Sequence, residues 1–343
     1  MNTALSFLSL HRDRLELGRY GLPAQFSSLV LTPRFRASRH VVFLIVPERH
    51  PEPVLVAKVP RLAGSRASLD QEARTLKSVQ ALRPGGFDSV PRVIAYEEYC
   101  GYPILIETAI VGQAMDPAAV RRDLAGSCQT VIDWLVEIQQ PRNGAAENGR
   151  PGRFAASLRY FVDLFPISAE EEQALEQTWT FVNRLQDSSL RPVLEHGDLS
   201  HPNLIVRRGG GLGVVDWELA AQDGLPAVDL FFFLAYAAFA LHDARSKGDY
   251  LAPFHGAFFG KDAWARPYVE AYAERIQMPP ELLPALFVFC WARYMSNLLV
   301  RLDESGDVRD PVEPGTAEWL RSNRYYALWR YTLRHIDELN LAH

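Results

Sequence analysis

The chain has 343 residues, 48% of them hydrophobic and 22% charged, which is enough apolar material for a sizeable core and long for one domain. A formal net charge of −5 supplies no basic footprint and argues against a nucleic-acid partner. Cys100, Cys128 and Cys290 are widely spaced, form no CxxC and stand among apolar or aromatic neighbours, so they read as core thiols in a reducing cytoplasm.

At the N-terminus, the apolar stretch Ala4 to Leu10 has no basic residues ahead of it and no small-residue cleavage pattern behind it, so no signal peptide is read. Three strand-like runs follow, Ser27 to Leu31, His40 to Val46 and Val54 to Val59, rich in Val, Leu, Ile and Phe. Leu69, Ala73, Leu76 and Val79 recur at helical spacing and predict a helix over 68–82, stopped by Pro84-Gly85-Gly86. Two more strands are expected at Arg92 to Tyr96 and Tyr102 to Thr108. The order β-β-β-α-β-β makes a small antiparallel sheet domain.

From about Asp116 the pattern turns helical, with Val120, Leu124, Val131, Leu135 and Ile138 on one stripe. Residues 141–152 form a loop rich in Gly, Asn and Pro, and Ser168 followed by Glu171 is a capping-box signal before the next helix. The longest apolar run, Leu230 to Leu241, has 12 residues, against the roughly 20 needed to span a bilayer, and reads as a buried helix with no membrane partner.

Chemistry concentrates in residues 195–218. Two short apolar runs flank the basic, glycine-rich turn Arg207-Arg208-Gly209-Gly210-Gly211, which is a hairpin signal. With the turn near Gly209 and Gly210, Asn203 and Asp216 fall opposite each other at the open end, and Asp198 lies five residues before Asn203. Oxygen-bearing side chains gathered on a rigid hairpin suit Mg²⁺, which keeps water and phosphate oxygens as its remaining ligands. The alternative is a surface hairpin with ordinary turn residues. Upstream, Lys58 stands alone among the apolar residues of Val54 to Val59 and needs a charge partner, for which Glu72, 14 residues on in the next helix, is the candidate.

H-G-D-x-x-x-x-N at 196–203, followed 13 residues after the Asn by D-x-E at 216–218, resembles the aminoglycoside phosphotransferase and choline kinase family of small-molecule kinases. The resemblance implies an α+β, two-lobed protein-kinase-like fold, with a nucleotide-binding β-rich lobe over residues 1–108 and a helical lobe over 109–343. It makes Asp198 the catalytic base, assigns Asn203 and Asp216 to the metal, and gives Glu218 either a share in the metal or a structural salt bridge. Lys58, with Glu72 as its charge partner, would hold the α- and β-phosphates. Residues 105–112 would form the hinge, where backbone groups at Glu107 and Ile110 meet adenine. Gly224-x-Pro226-x-x-Asp229-Leu230 resembles a further family segment, in which Asp229 braces the loop. The donor is expected to be ATP with Mg²⁺, GTP remaining open, and the acceptor a hydroxyl of an aminoglycoside, sugar, amino alcohol or related metabolite. That acceptor would meet residues such as Tyr236, His242, Glu270, Arg293, Tyr294 and Asn297 of the helical lobe.

The departure from the family lies at 32–39, where a phosphate-covering loop is expected and no glycine occurs, leaving Ser38 or the arginines to meet phosphate. That departure supports an alternative, a catalytically silent kinase-fold binding module, against which Lys58, Glu72, Asp198, Asn203 and Asp216 all stand. A metallohydrolase using His196, Asp198 and His201 lacks second-site ligands and does not account for Lys58 and Glu72.

Overall fold

A computed structural model describes residues 2–32, 40–61, 66–82, 87–139, 156–188, 190–304 and 312–342. In chain order the elements are α1 (Thr3–Leu10), β1 (Phe26–Leu31), β2 (His40–Pro47), β3 (Leu55–Pro60), α2 (Ala67–Leu82), β4 (Val93–Tyr99), β5 (Tyr102–Thr108) and β6 (Gly112–Ala114). There follow α3 (Pro117–Arg122), α4 (Leu124–Ile138), α5 (Ala156–Leu164), α6 (Ala169–Gln186), β7 (Val193–Glu195), β8 (Leu204–Arg207), β9 (Leu212–Val214) and β10 (Ala221–Gly224). The remainder is helical: α7 (Val228–His242), α8 (Ala244–Lys247), α9 (Leu251–Phe258), α10 (Arg266–Arg275), α11 (Leu283–Glu304), α12 (Pro314–Ser322) and α13 (Arg324–Arg334). The five strands and the helix expected before residue 108 all form, with ends within a few residues of the sequence pattern.

The chain divides into two compact units, one of residues 1–114 with 202–220, the other of residues 115–201 with 221–343. In the first, five antiparallel strands run in the order β1-β2-β3-β5-β4. Alternation along β3 and β5 splits their side chains between two faces. Leu55, Ala57, Ile104 and Ile106 point to one face and pack with Ala4, Phe7 and Leu8 of α1. Leu105 points to the other and meets Leu69 and Ala73 of α2. The Asn2 side chain starts α1 by accepting the Leu5 N–H at 2.9 Å. The apolar stretch near the N-terminus is therefore a packed helix, and full burial of Phe7 and Leu8 contributes roughly 2 kcal/mol each.

The hairpin of β8 and β9 belongs to this first unit, where β6 pairs with β8 to complete a three-stranded sheet. A single break near residue 108, as read from the sequence, does not describe this division: the hairpin's partners are β6 and α2, although it lies far along the chain.

The second unit is helical apart from the two-stranded pair of β7 and β10. Its core centres on α7, whose residues from Val228 to Ala235 are all buried, and on α11, which packs against α5, α6, α7 and α13. Residues 280–302 are long and apolar enough to cross a membrane by length and composition, but 78% of the most apolar window is buried within the protein. The capping box read at Ser168 and Glu171 is present at the start of α6.

Cys128 and Cys290 are buried thiols, whereas Cys100 is exposed, which corrects its reading as a core residue. It sits at the tip of the β4–β5 hairpin with φ 52°, where apolar neighbours in sequence do not become neighbours in space.

Candidate active site

In the first unit, strand alternation turns Lys58 onto the α2 face of the sheet, where α2 presents Glu72. The two are almost fully buried, and Lys58 Nζ donates to Glu72 Oε1 at 2.5 Å. Asp216 Oδ1 lies 3.3 Å from the same nitrogen. The lysine, the helix glutamate and the aspartate after β9, separated by up to 158 residues in sequence, thus meet at one ammonium. Glu72 Oε1 also accepts the Trp217 N–H at 2.9 Å, which fixes the backbone next to Asp216.

A further carboxylate, which sequence reasoning did not place here, completes the cluster. Glu107 Oε1 is 3.6 Å from Lys58 Nζ, and the side chain is only 2% exposed. The sequence assigned Glu107 a hinge role through its backbone. Strand alternation was the signal for the side chain, because Glu107 follows Leu105 by two and shares its face. Burial works against the Lys58 ammonium, but Glu107, Glu72 and Asp216 overcome it and hold its proton more tightly than usual. Burial raises Glu72 against the attraction of Lys58. Burial also outweighs Lys58 at Glu107 and, reinforced by Glu72 and Asp216, pushes that acid up to about 8.

Asp216 adopts φ 69°, a left-handed conformation that costs a non-glycine residue about a kcal/mol or more. The surroundings enforce it: Trp217 is fully buried, its indole donates to Val214 O at 3.0 Å, and its own N–H is held by Glu72. Asn203, also buried, accepts the Val215 N–H through its carbonyl at 3.0 Å, so the ends of β8 and β9 are tied where the sequence placed Asn203 and Asp216 opposite each other. An amide and a carboxylate offer hard oxygen donors, and the Asp216 side chain remains 42% exposed, which fits a magnesium ion carried with phosphate. Glu218 is placed differently. It is nearly buried and lies 3.2 Å from His40 Nδ1, while His40 Nε2 bonds Ser68 Oγ at 2.8 Å.

Ile110 packs directly over Gly213: a Cβ there would lie 2.3 Å from Ile110 Cγ2, so the close approach of the post-β5 segment to β9 requires glycine. Ser38 falls outside the described residues.

In the second unit, Asp198 follows β7 on a loop held mainly by backbone contacts. Asp229, in the first turn of α7, accepts the His196 N–H at 2.7 Å and the Gly197 N–H at 2.9 Å. Burial pushes Asp229 up to about 6, with those two N–H groups opposing. Gly197 sits at φ 81°, which explains a glycine between His196 and Asp198. Its carbonyl accepts from Tyr294 Oη at 3.0 Å. Below the loop, fully buried Glu195 accepts from Arg293 Nη1 at 2.9 Å and from the Leu225 N–H at 3.1 Å. Arg293 and Tyr294, placed by sequence among acceptor-facing groups, bond Glu195 of β7 and the Gly197 carbonyl beside Asp198. His201 stacks obliquely near Tyr236, ring centroids 5.6 Å apart, and burial, then the charge of Arg324, pulls its pKa down to about 4.

The family profile described as the phosphotransferase enzyme family matches residues 34–272. Comparison with curated proteins gave no significant match. Among solved structures, a choline kinase from Streptococcus pneumoniae is 12% identical, with TM-score 0.53 over 95% of this chain and 99% of its own. A choline/ethanolamine kinase family protein from Mesorhizobium loti is 17% identical, with TM-score 0.51 over 95% and 98%. An aminoglycoside phosphotransferase from Streptomyces rimosus, in complex with ADP and streptomycin, is 17% identical, with TM-score 0.50 over 89% and 98%. At these identities the likeness shows the fold, which is the α+β protein-kinase-like one.

Proposed function

The chain belongs to the phosphotransferase enzyme family, and from that premise we propose that it moves the γ-phosphate of ATP to a hydroxyl of a small molecule, with Mg²⁺. It is a small-molecule kinase. The observation that carries the donor assignment is the meeting of Glu72 and Asp216 at Lys58 Nζ. A buried ammonium pre-positioned by two carboxylates is a built contact for the α- and β-phosphates. Adenine would bond backbone groups at Glu107 and Ile110.

Asn203 and Asp216 would hold Mg²⁺, which would offset the charge on the phosphates. The His40 contact supports a bracing role for Glu218, with β2 and α2 as its anchors. Asp198 would accept the proton of the acceptor hydroxyl as its oxygen attacks phosphorus. The loop carrying Asp198 is fixed through Asp229, Tyr294 and Glu195, so the carboxylate is oriented before the acceptor arrives.

Asp198→Asn tests this reading. The variant is expected to lose roughly 10²- to 10⁴-fold in kcat while the thermal shift caused by Mg-ATP is kept. ADP formation at the wild-type rate would remove Asp198 from the role of base. Nucleotide binding without turnover of any acceptor, in the unsubstituted protein, would return the binding-module alternative.

A further inference from the structure

The second unit carries a cation without a countercharge among the described residues. Arg324, the first residue of α13, is partly buried among three tyrosines, its guanidinium carbon 5.0 Å from the ring centres of Tyr236 and Tyr325 and 5.6 Å from that of Tyr250. Nη2 donates to the Tyr236 hydroxyl and, at 3.2 Å, to the Tyr325 hydroxyl, and those two hydroxyls bond each other at 2.8 Å. Nε and Nη1 make no hydrogen bond to the described residues, and no carboxylate among them pairs with the group. Neighbouring arginines contrast with this: Arg293 is paired with Glu195, and Arg321 with Glu171.

Three features make this a place for an anion. A guanidinium withdrawn from water without a carboxylate is costly, and aromatic faces return only part of that cost. The first turn of a helix is the end at which the macrodipole disfavours a cation and attracts an anion. Beside the cluster, His201 Nδ1 is buried with no partner, an unused polar atom facing the same tyrosine. The cluster also adjoins the loop of Asp198, since His201, three residues after it, lies against Tyr236, and Tyr294, whose hydroxyl donates to Gly197 O at 3.0 Å, has its ring centre 5.7 Å from that of Tyr325.

We propose that the acceptor bears an anionic group, a carboxylate or a phosphate ester, and that Arg324 receives it while Asp198 faces the hydroxyl to be phosphorylated. The proposal rests on the phosphotransferase reading for the identity of the ligand as acceptor. It separates this protein from kinases whose acceptors are cationic amino sugars or quaternary amines.

Two matched series test it: glucose, glucosamine, glucuronate and glucose 6-phosphate; and glycerol, 3-aminopropane-1,2-diol, glycerate and glycerol 3-phosphate. Each is added to the full-length protein with Mg-ATP, and thermal shift and ADP formation are read. An anionic member of at least one series is expected to give the largest shift and the fastest ADP formation, and comparison within the series tells carboxylate from phosphate ester. Arg324→Met is expected to weaken that member by roughly 10- to 100-fold in kcat/KM, as loss of charge-assisted hydrogen bonds does, while the shift from Mg-ATP alone stays. Arg324→Lys should fall between the two, keeping the charge without the planar donors.

Amine-bearing or neutral members matching the anionic ones would overturn the proposal and leave the phosphotransferase reading intact. So would an absence of any shift from the anionic members at saturation. Loss of the Mg-ATP shift in Arg324→Met would give the residue to the nucleotide and overturn it as well. An Arg324-dependent shift without ADP from any probe would overturn the acceptor assignment and count against the kinase reading itself.

Discussion

Lys58 is one ammonium among three acids, and its electrostatics turn on the odd one out. Glu107, pushed up to about 8 by burial against the pull of Lys58, keeps a proton to higher pH than an ordinary glutamate, so the charge around Lys58 varies with pH. The folded protein binds this proton more tightly than the unfolded chain, whose glutamates titrate near 4.5. Stability from this group is therefore fully present below that value, declines as pH rises through the interval, and is lost above about 8. Glu107→Gln mimics the protonated form. The variant should match the natural protein near pH 6, exceed it in urea midpoint near pH 9, and keep Mg-ATP affinity within about threefold, since the proposed adenine contact is through backbone. A large loss of affinity in the variant would instead mean that the carboxyl itself meets the nucleotide. Sequence alone paired Lys58 with Glu72 and set Asn203 and Asp216 opposite each other on the hairpin, because strand, helix and turn patterns there are local. It could not show the Glu218–His40 pair, which depends on which strand face meets which helix, and it held the Glu107 side chain only as strand alternation with Leu105.

Elements in this protein are tied by single acids with several partners, and α6 shows this most clearly. Glu171 closes the capping box with Ser168, accepts from Arg321 Nε at 2.8 Å, and accepts from Tyr326 Oη at 2.6 Å. One carboxylate joins the start of α6 to α12 and α13. Burial alone would raise its pKa, but Arg321, Tyr326 and Ser168 outweigh burial and hold it down to about 2. The unfolded chain then binds the proton more readily, so the stabilisation is present above about 4.5 and is lost as pH falls through about 2. Glu171→Gln is expected to lower stability at pH 7 by on the order of 2 kcal/mol and by much less near pH 2.5. Parallel urea curves for the two proteins across that range, with a constant gap, would show that the charge is not what matters. The cap itself was legible as Ser168-x-x-Glu171, whereas its partners 150 residues away were not. The N-terminal helix went unread for a related reason: eight residues are too few for a clear period, and Asn2 as its cap becomes meaningful only beside the sheet that α1 covers.

At the scale of the whole molecule, the first unit is discontinuous. Its sheet, α1 and α2 come from residues 1–114, but Asp216 and Trp217, which engage Lys58 and Glu72, arrive with residues 202–220. A fragment ending at Ala114 would leave Lys58 and Glu72 without those partners and β6 without β8. It is expected to give poorly dispersed amide NMR signals, and the same fragment with residues 202–220 joined by a flexible linker should give dispersed ones. Dispersed spectra from the shorter fragment would show that the hairpin is dispensable. The sequence revealed the change from strands to helices near residue 110, because hydrophobic periodicity is local. It hid the return of the hairpin to the first unit, because strand pairing between residues 112 and 207 leaves no local trace.

The same discontinuity has a consequence for synthesis on the ribosome. Domains tend to fold as they emerge, N-terminal first. Here the Trp217 N–H that holds Glu72 is translated 145 residues after it. For most of that interval the nascent chain must shelter an ammonium and two glutamates in a half-built core. At 5–20 residues per second this lasts on the order of ten seconds, a window in which chaperone binding or a translational pause has the most to act on.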